Sequence, residues 1–182
     1  IVNNTTNDEL RCWGDGSDGR LGMGSTDTIG DSGSESMEVD LPLRGGLGIS
    51  QVSAGHSHTC LLWADGEVAC WGSNTYGELG IGNTNSIGDQ AGEMGDNLGT
   101  VDLGTGLTVV SFATGYGSSC AILDDGDETT PYTTKCWGKG DDGALGYGDA
   151  VTRGDGQYEM GNYLPSVDLG TSLHATSIDV GD

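Results

Sequence analysis

The tripeptide Cys-Trp-Gly occurs three times, at Cys12-Trp13-Gly14, Cys70-Trp71-Gly72 and Cys136-Trp137-Gly138. Each copy leads into a Leu-Gly-x-Gly run: Leu21 to Gly24, Leu79 to Gly82 and Leu145 to Gly148. The three cysteines are spaced 58 and 66 residues apart, a period that belongs to propellers and repeat arrays. Val39-Asp40-Leu41 recurs as Val101-Asp102-Leu103 and Val167-Asp168-Leu169. Each triplet precedes a short apolar segment: Ile49 to Ala54, Val109 to Ala113, and Ala175 to Val180. One cycle therefore reads as three or four strands and a long polar loop, and no stretch has helical periodicity with proper caps.

An all-β fold follows, with residues 1–182 forming about three propeller-blade equivalents whose units start near residues 12, 70 and 136. Disorder is the competing reading of a chain with 35 glycines and a net charge of −22. Matched Trp, Leu, Val and Ile positions in every cycle argue against it. With 28 acidic residues against six basic ones, the field repels nucleic acid and anionic membrane surfaces. No apolar run approaches the roughly 18 residues that a spanning helix needs, so membrane insertion is not expected. Other proteins, the remaining blades, or copies of the chain itself are the expected partners.

The best-defined unit is Gln51 to Gly82. If Cys60 lies opposite Cys70, Trp63 faces Glu67, and Ala64-Asp65-Gly66 forms a three-residue hairpin loop with glycine in the left-handed position. Paired positions across such a ladder come within disulfide range. The same logic pairs Cys120 with Cys136 across a hairpin lengthened by Asp124-Asp125-Gly126 and the tail Asp127 to Thr134. Cys12 is left to bond a cysteine outside this segment, because residues 1–11 read as the second arm of a hairpin whose first arm is missing. The alternative is five free thiols in a reducing compartment. Disulfides point to an extracellular or cell-surface protein of the secretory pathway.

The run Ala54-Gly55-His56-Ser57-His58-Thr59-Cys60, with Asp65-Gly66, Val68, Trp71-Gly72, Tyr76-Gly77 and Leu79-Gly80, resembles the regulator of chromosome condensation repeat family. The resemblance implies blades of a seven-bladed β-propeller, of which this chain would supply about three. The cysteine pairs and the long loops after each Leu-Gly-x-Gly depart from the family and suit an extracellular offshoot. It also implies two regulatory alternatives: guanine-nucleotide exchange on a small GTPase, or inhibition of a secreted enzyme.

Gly14-Asp15-Gly16-Ser17-Asp18-Gly19 and Gly138-Lys139-Gly140-Asp141-Asp142-Gly143 spell a dinucleotide-binding pattern. Neither opens a helix, and both carry aspartates that repel phosphate, so they read as turns. Acidic pairs recur in the long loop: Asp31 with Glu35, Asp89 with Glu93, and Asp155 with Glu159. Carboxylates in a Gly-rich loop are candidate calcium ligands, and no other cofactor is indicated; the competing role is solvating and capping an exposed loop. Asn3 and Asn4 begin overlapping glycosylation sequons. Arg153-Gly154-Asp155 reads as a copy of the loop repeat also seen at Ile29-Gly30-Asp31 and Ile87-Gly88-Asp89. Trp13, Trp71 and Trp137 are expected to pack between blades, and Trp63, without a repeat counterpart, to be an exposed contact residue. His56 and His58 share one strand face, with no spacing that supplies a third metal ligand. No catalytic constellation has positional support. The reading is a non-enzymatic structural or protein-interaction module.

Overall fold

The fold was analysed in a computed structural model, which describes residues 2–3, 8–33, 48–127 and 132–181. Among the described residues, eight strands run in chain order: β1 (Val2–Asn3), β2 (Asp8–Glu9), β3 (Ile49–Ala54), β4 (His58–Trp63), β5 (Val68–Gly72), β6 (Thr108–Thr114), β7 (Ser118–Asp124) and β8 (Thr133–Gly138). Strands β3-β4-β5 form one antiparallel sheet and β6-β7-β8 a second, while β1 and β2 make a short hairpin. The described residues contain no α-helix, only four short 3-10 turns. The fold is all-β, in successive propeller-type blades.

The hairpin register matches the sequence reading. Cys60 faces Cys70, Thr59 faces Trp71, and the Trp63 amide donates to the Glu67 carbonyl at 2.9 Å. Gly66 has φ +87°, a conformation that only glycine adopts without strain, so Ala64-Asp65-Gly66 can close the loop. Disulfides join Cys60 to Cys70 and Cys120 to Cys136, and Cys12 carries a free thiol. At the start of the chain the structure corrects the expectation. Val2–Asn3 and Asp8–Glu9 pair as the two arms of one hairpin, so residues 1–11 hold part of both arms.

Strand β4 explains the fate of Trp63. Successive side chains of a strand point to opposite faces. Cys60 and Leu62 face the second sheet, in a core with Leu79, Phe112, Ala121, Leu123 and Trp137. Leu61 and Trp63 face the other way, packing with Leu10, Trp71, Met94 and Leu98. A strand buried on both faces needs a continuous apolar run, and Cys60-Leu61-Leu62-Trp63 supplies one. Trp63 is therefore 3% exposed, not a surface contact; Leu123 occupies the same inward position on β7.

The long polar loops cover the outer strand edges. Gly72 and Ile87 exchange both backbone hydrogen bonds, and the Val101 amide donates to Val68. Gly138 and Arg153 repeat the bridge, with Val167 donating to Thr134. An edge satisfied in this way offers no template for unplanned pairing. Ala175 to Val180, expected as a strand, is not one; just after it, Gly181 accepts the Tyr116 amide, as Gly115 accepts that of His56.

Closing loops of this size should stabilise each hairpin by about 2–3 kcal/mol. The double variant Cys60→Ala/Cys70→Ala is expected to lose that much in urea unfolding. A midpoint equal to wild type would show the bond to be dispensable.

Candidate interaction surface

The units are joined by a repeated polar hook. The Trp71 indole N–H and the Thr59 hydroxyl both donate to the Arg20 carbonyl, at 3.1 and 3.0 Å. One unit on, the Trp137 indole and the Ser119 hydroxyl both donate to the Glu78 carbonyl, each at 3.0 Å. Trp71 and Trp137 are fully buried. Trp13 holds the equivalent position but is 63% exposed, so the expectation of blade packing is met at two of the three tryptophans. Gln51 adds a second tie, giving Nε2–H to the Phe112 carbonyl at 2.6 Å and accepting the Phe112 amide on Oε1 at 3.4 Å. Gly55 lies where a Cβ would overlap the Gly115 carbonyl, which fixes glycine at that seam.

His58 and Ser119 form a buried serine–histidine pair, Nε2 to Oγ at 2.9 Å, which crosses two units and is invisible to local sequence motifs. Ser119 Oγ spends its proton on Glu78, so His58 must donate from Nε2, leaving Nδ1 unprotonated and without a partner beside Gly55. Burial lowers the imidazole pKa to about 4. A serine whose proton is committed and whose surface is closed to solvent is placed to brace the seam. Glu78 is likewise buried and structural: Oε1 accepts from the Ser73 hydroxyl at 3.1 Å and Oε2 from the Tyr76 amide at 2.6 Å. Lys135 donates Nζ to the Leu103 and Gly161 carbonyls at 2.8 and 2.9 Å, and burial lowers its pKa.

In two of the acidic pairs the glutamate pins the loop. Glu93 Oε2 accepts the amides of Gly88 and Gln90, at 2.8 and 3.1 Å. Glu159 Oε2 accepts those of Gly154 and Gly156, at 3.0 and 2.8 Å. Asp89 and Asp155 sit at the preceding turns, their backbones against Gly19 and Gly77 of the neighbouring unit. Asp31 is exposed; Glu35 and Asn4 lie outside the described residues, and Asn3 is described only as a strand residue. Among the described residues, no three His, Cys, Asp or Glu side chains cluster as metal ligands.

The glycine-rich dinucleotide pattern folds as 3-10 turns at Ser17–Gly19 and Asp141–Gly143, with Asp18 and Asp142 at φ 57° and 56°. Arg153 of the Arg-Gly-Asp sequence grips Asp149 through two bonds, at 3.0 and 2.8 Å, and lies 4.3 Å from the Tyr147 ring centre. That bond to Arg153 holds the exposed Asp149 carboxyl at about 2. The tripeptide is thus a loop bridge, as its repeats suggested.

An aromatic and cationic strip runs along the seam at the surface. His56 stacks on Tyr116 with ring centres 4.7 Å apart, and Lys139 Nζ lies 5.3 Å from the Tyr76 ring and 5.6 Å from Tyr116. Arg20 continues it, donating to the His56 carbonyl at 3.3 Å.

Residues 49–78 match the regulator of chromosome condensation (RCC1) repeat. The chain is 32% identical over 148 residues to the ultraviolet-B receptor UVR8 of Arabidopsis thaliana, a match covering 80% of the chain. The chain belongs to the regulator of chromosome condensation repeat family. The RCC1-repeat chain is also 31% identical over 140 residues to the human E3 ubiquitin-protein ligase HERC2, covering 77% of this chain. It spans 28% of the receptor's length and 2% of the ligase's. Prp20p from Saccharomyces cerevisiae has the same fold, with TM-score 0.58 at 21% identity over 91% of this chain and 35% of its own. Human WBSCR16 gives TM-score 0.56 at 19% identity, covering 81% of this chain and 31% of its own.

Proposed function

We propose that these RCC1 repeats form a non-enzymatic protein-interaction module of a secreted or cell-surface assembly. The observation that carries the reading is a division of labour among polar side chains. His58, Ser119 and Lys135, groups suited to chemistry, are buried and committed to the seam, and the buried Glu78 carboxylate to its own loop, whereas exposed His56 and Tyr116 lie with half-buried Tyr76 and Lys139 at the surface. Aromatic and cationic side chains of this kind are enriched at the centres of protein interfaces. Two hairpin disulfides support an oxidising compartment. Cys12 shares its repeat position with the bonded Cys70 and Cys136, and is assigned a partner cysteine outside residues 1–182.

The test is capture from the native source without reductant, followed by the double variant Tyr116→Ala/Lys139→Glu. Both side chains are at least partly exposed, so folding should be unaffected while retention of a stoichiometric partner falls at least tenfold. Retention unchanged by the double variant would overturn the assignment of this strip. Cys60 and Cys70 found unlinked in freshly isolated protein would overturn the secretory placement.

A further inference from the structure

The loop from Arg153 to Leu164 carries a feature that its sister loop lacks. Tyr158 has φ +67° and is 67% exposed. A left-handed backbone is costly for a bulky residue, and here no burial offsets the cost. The corresponding residue of the preceding unit is Gly92, at φ +89°, for which that conformation is free of strain. Tyr163, 68% exposed, likewise stands where the preceding unit has Asn97, each closing a 3-10 turn (Gly161–Tyr163 and Gly95–Asn97). The two tyrosine rings meet edge to face, with centres 5.3 Å apart. The loop's anchor is the same in both units, since Glu159 and Glu93 hold equivalent amides. The fold does not require the tyrosines; one unit has added an aromatic pair to an unchanged scaffold, at a conformational cost.

The charge of the chain bears on the partner. The chain carries a net charge of −22. Of its five described Lys and Arg side chains, Arg20 is paired with Asp15 and Asp18, Lys139 with Asp141 and Arg153 with Asp149, Lys135 is buried on carbonyls, and Arg11 is also engaged. On so acidic a chain, an external cation suits the tyrosine faces. The same chemistry is already used internally, where the Arg153 guanidinium lies over Tyr147. A guanidinium stacks on an aromatic face better than the compact, strongly hydrated lysine ammonium.

We infer that Tyr158 and Tyr163 form a docking site for an arginine-bearing basic segment of a partner protein. The inference rests on the interaction-module reading but uses a surface separate from the His56–Tyr116–Lys139 strip.

The probe is a fluorescent (Arg-Gly)4 peptide titrated into the full chain by anisotropy, with (Lys-Gly)4 and an uncharged (Ser-Gly)4 peptide as comparisons. Saturable binding is expected for the arginine peptide, at least threefold weaker for lysine and absent for the uncharged one, and weakening as salt rises. Tyr158→Gly, which restores the residue of the sister loop, should weaken the arginine peptide at least tenfold while leaving the melting temperature equal to or above that of wild type. Tyr163→Ala should give the same loss of binding. A lower melting temperature in Tyr158→Gly would make the tyrosine structural and overturn the inference. So would equal binding of all three peptides, or arginine binding unchanged in both variants, which would reduce the effect to bulk charge. Partner capture that depends on Tyr116 and Lys139 is unaffected by these substitutions. A failure here with that capture intact leaves the module reading standing, and loss of that capture alone leaves this site standing.

Discussion

Replacing Trp71 or Trp137 with alanine is expected to lower the unfolding free energy by about 3–5 kcal/mol each, against less than about 1 kcal/mol for Trp13→Ala. Both buried indoles fill the cores between units and donate to a carbonyl of the preceding unit. Alanine leaves a cavity that the neighbouring strands, held by their disulfides, cannot close. Trp71→Phe separates the two contributions, since it keeps most of the volume and removes only the N–H. The Arg20 carbonyl then retains its bond from Thr59, so the loss should be about 1 kcal/mol. Urea unfolding of the four variants and the wild type measures this series. Equal effects at Trp13 and Trp137 would mean that the seam does not carry the stability.

The second large effect is a loss of stability in acid, traced to His58. Its pKa is about 4 in the folded chain against an ordinary 6.5, because a charge on the imidazole would be buried with no acceptor for the extra proton. As pH falls below 6.5 the unfolded chain takes up a proton that the folded chain refuses. Stability from this group is therefore complete above pH 6.5 and declines as pH falls from 6.5 to 4, by about 3 kcal/mol in total. His58→Gln can still donate to Ser119 and does not titrate. Unfolding free energies at pH 7.0, 5.5 and 4.5 should show a slope in wild type that is shallower in the variant by up to one proton. Parallel slopes in the two proteins would place the acid sensitivity in the carboxylates instead.

The fold was legible where it depends on local pairing. The Cys60–Cys70 register, the loop at Ala64-Asp65-Gly66 and the turn reading of both glycine-rich motifs all rest on residues near one another in sequence. What was not legible depends on the neighbouring unit. Trp63 looked exposed because it has no repeated tryptophan; its burial comes from Leu10, Met94 and Leu98, brought in from two other loops. His58 and Ser119 meet across 61 residues, so neither sits in a local motif. One signal was available: Ser119 and Thr59, both hydroxyl residues, precede Cys120 and Cys60 at the same repeat position, as a shared hydrogen-bonding duty requires. The outward strip was missed for a related reason, since His56 and Tyr116 are equivalent positions that stack only when two blades are adjacent.

The hook between units has a consequence for how such a protein can change. Its donors are chemically specific, an indole and a hydroxyl, but its acceptor is main chain. Arg20 and Glu78 serve equally well although their side chains are opposite in charge, and Ala144 holds the same place in the third cycle. A unit can therefore be duplicated, deleted or moved beside a new neighbour without any compensating mutation at the acceptor. The joint stays interchangeable.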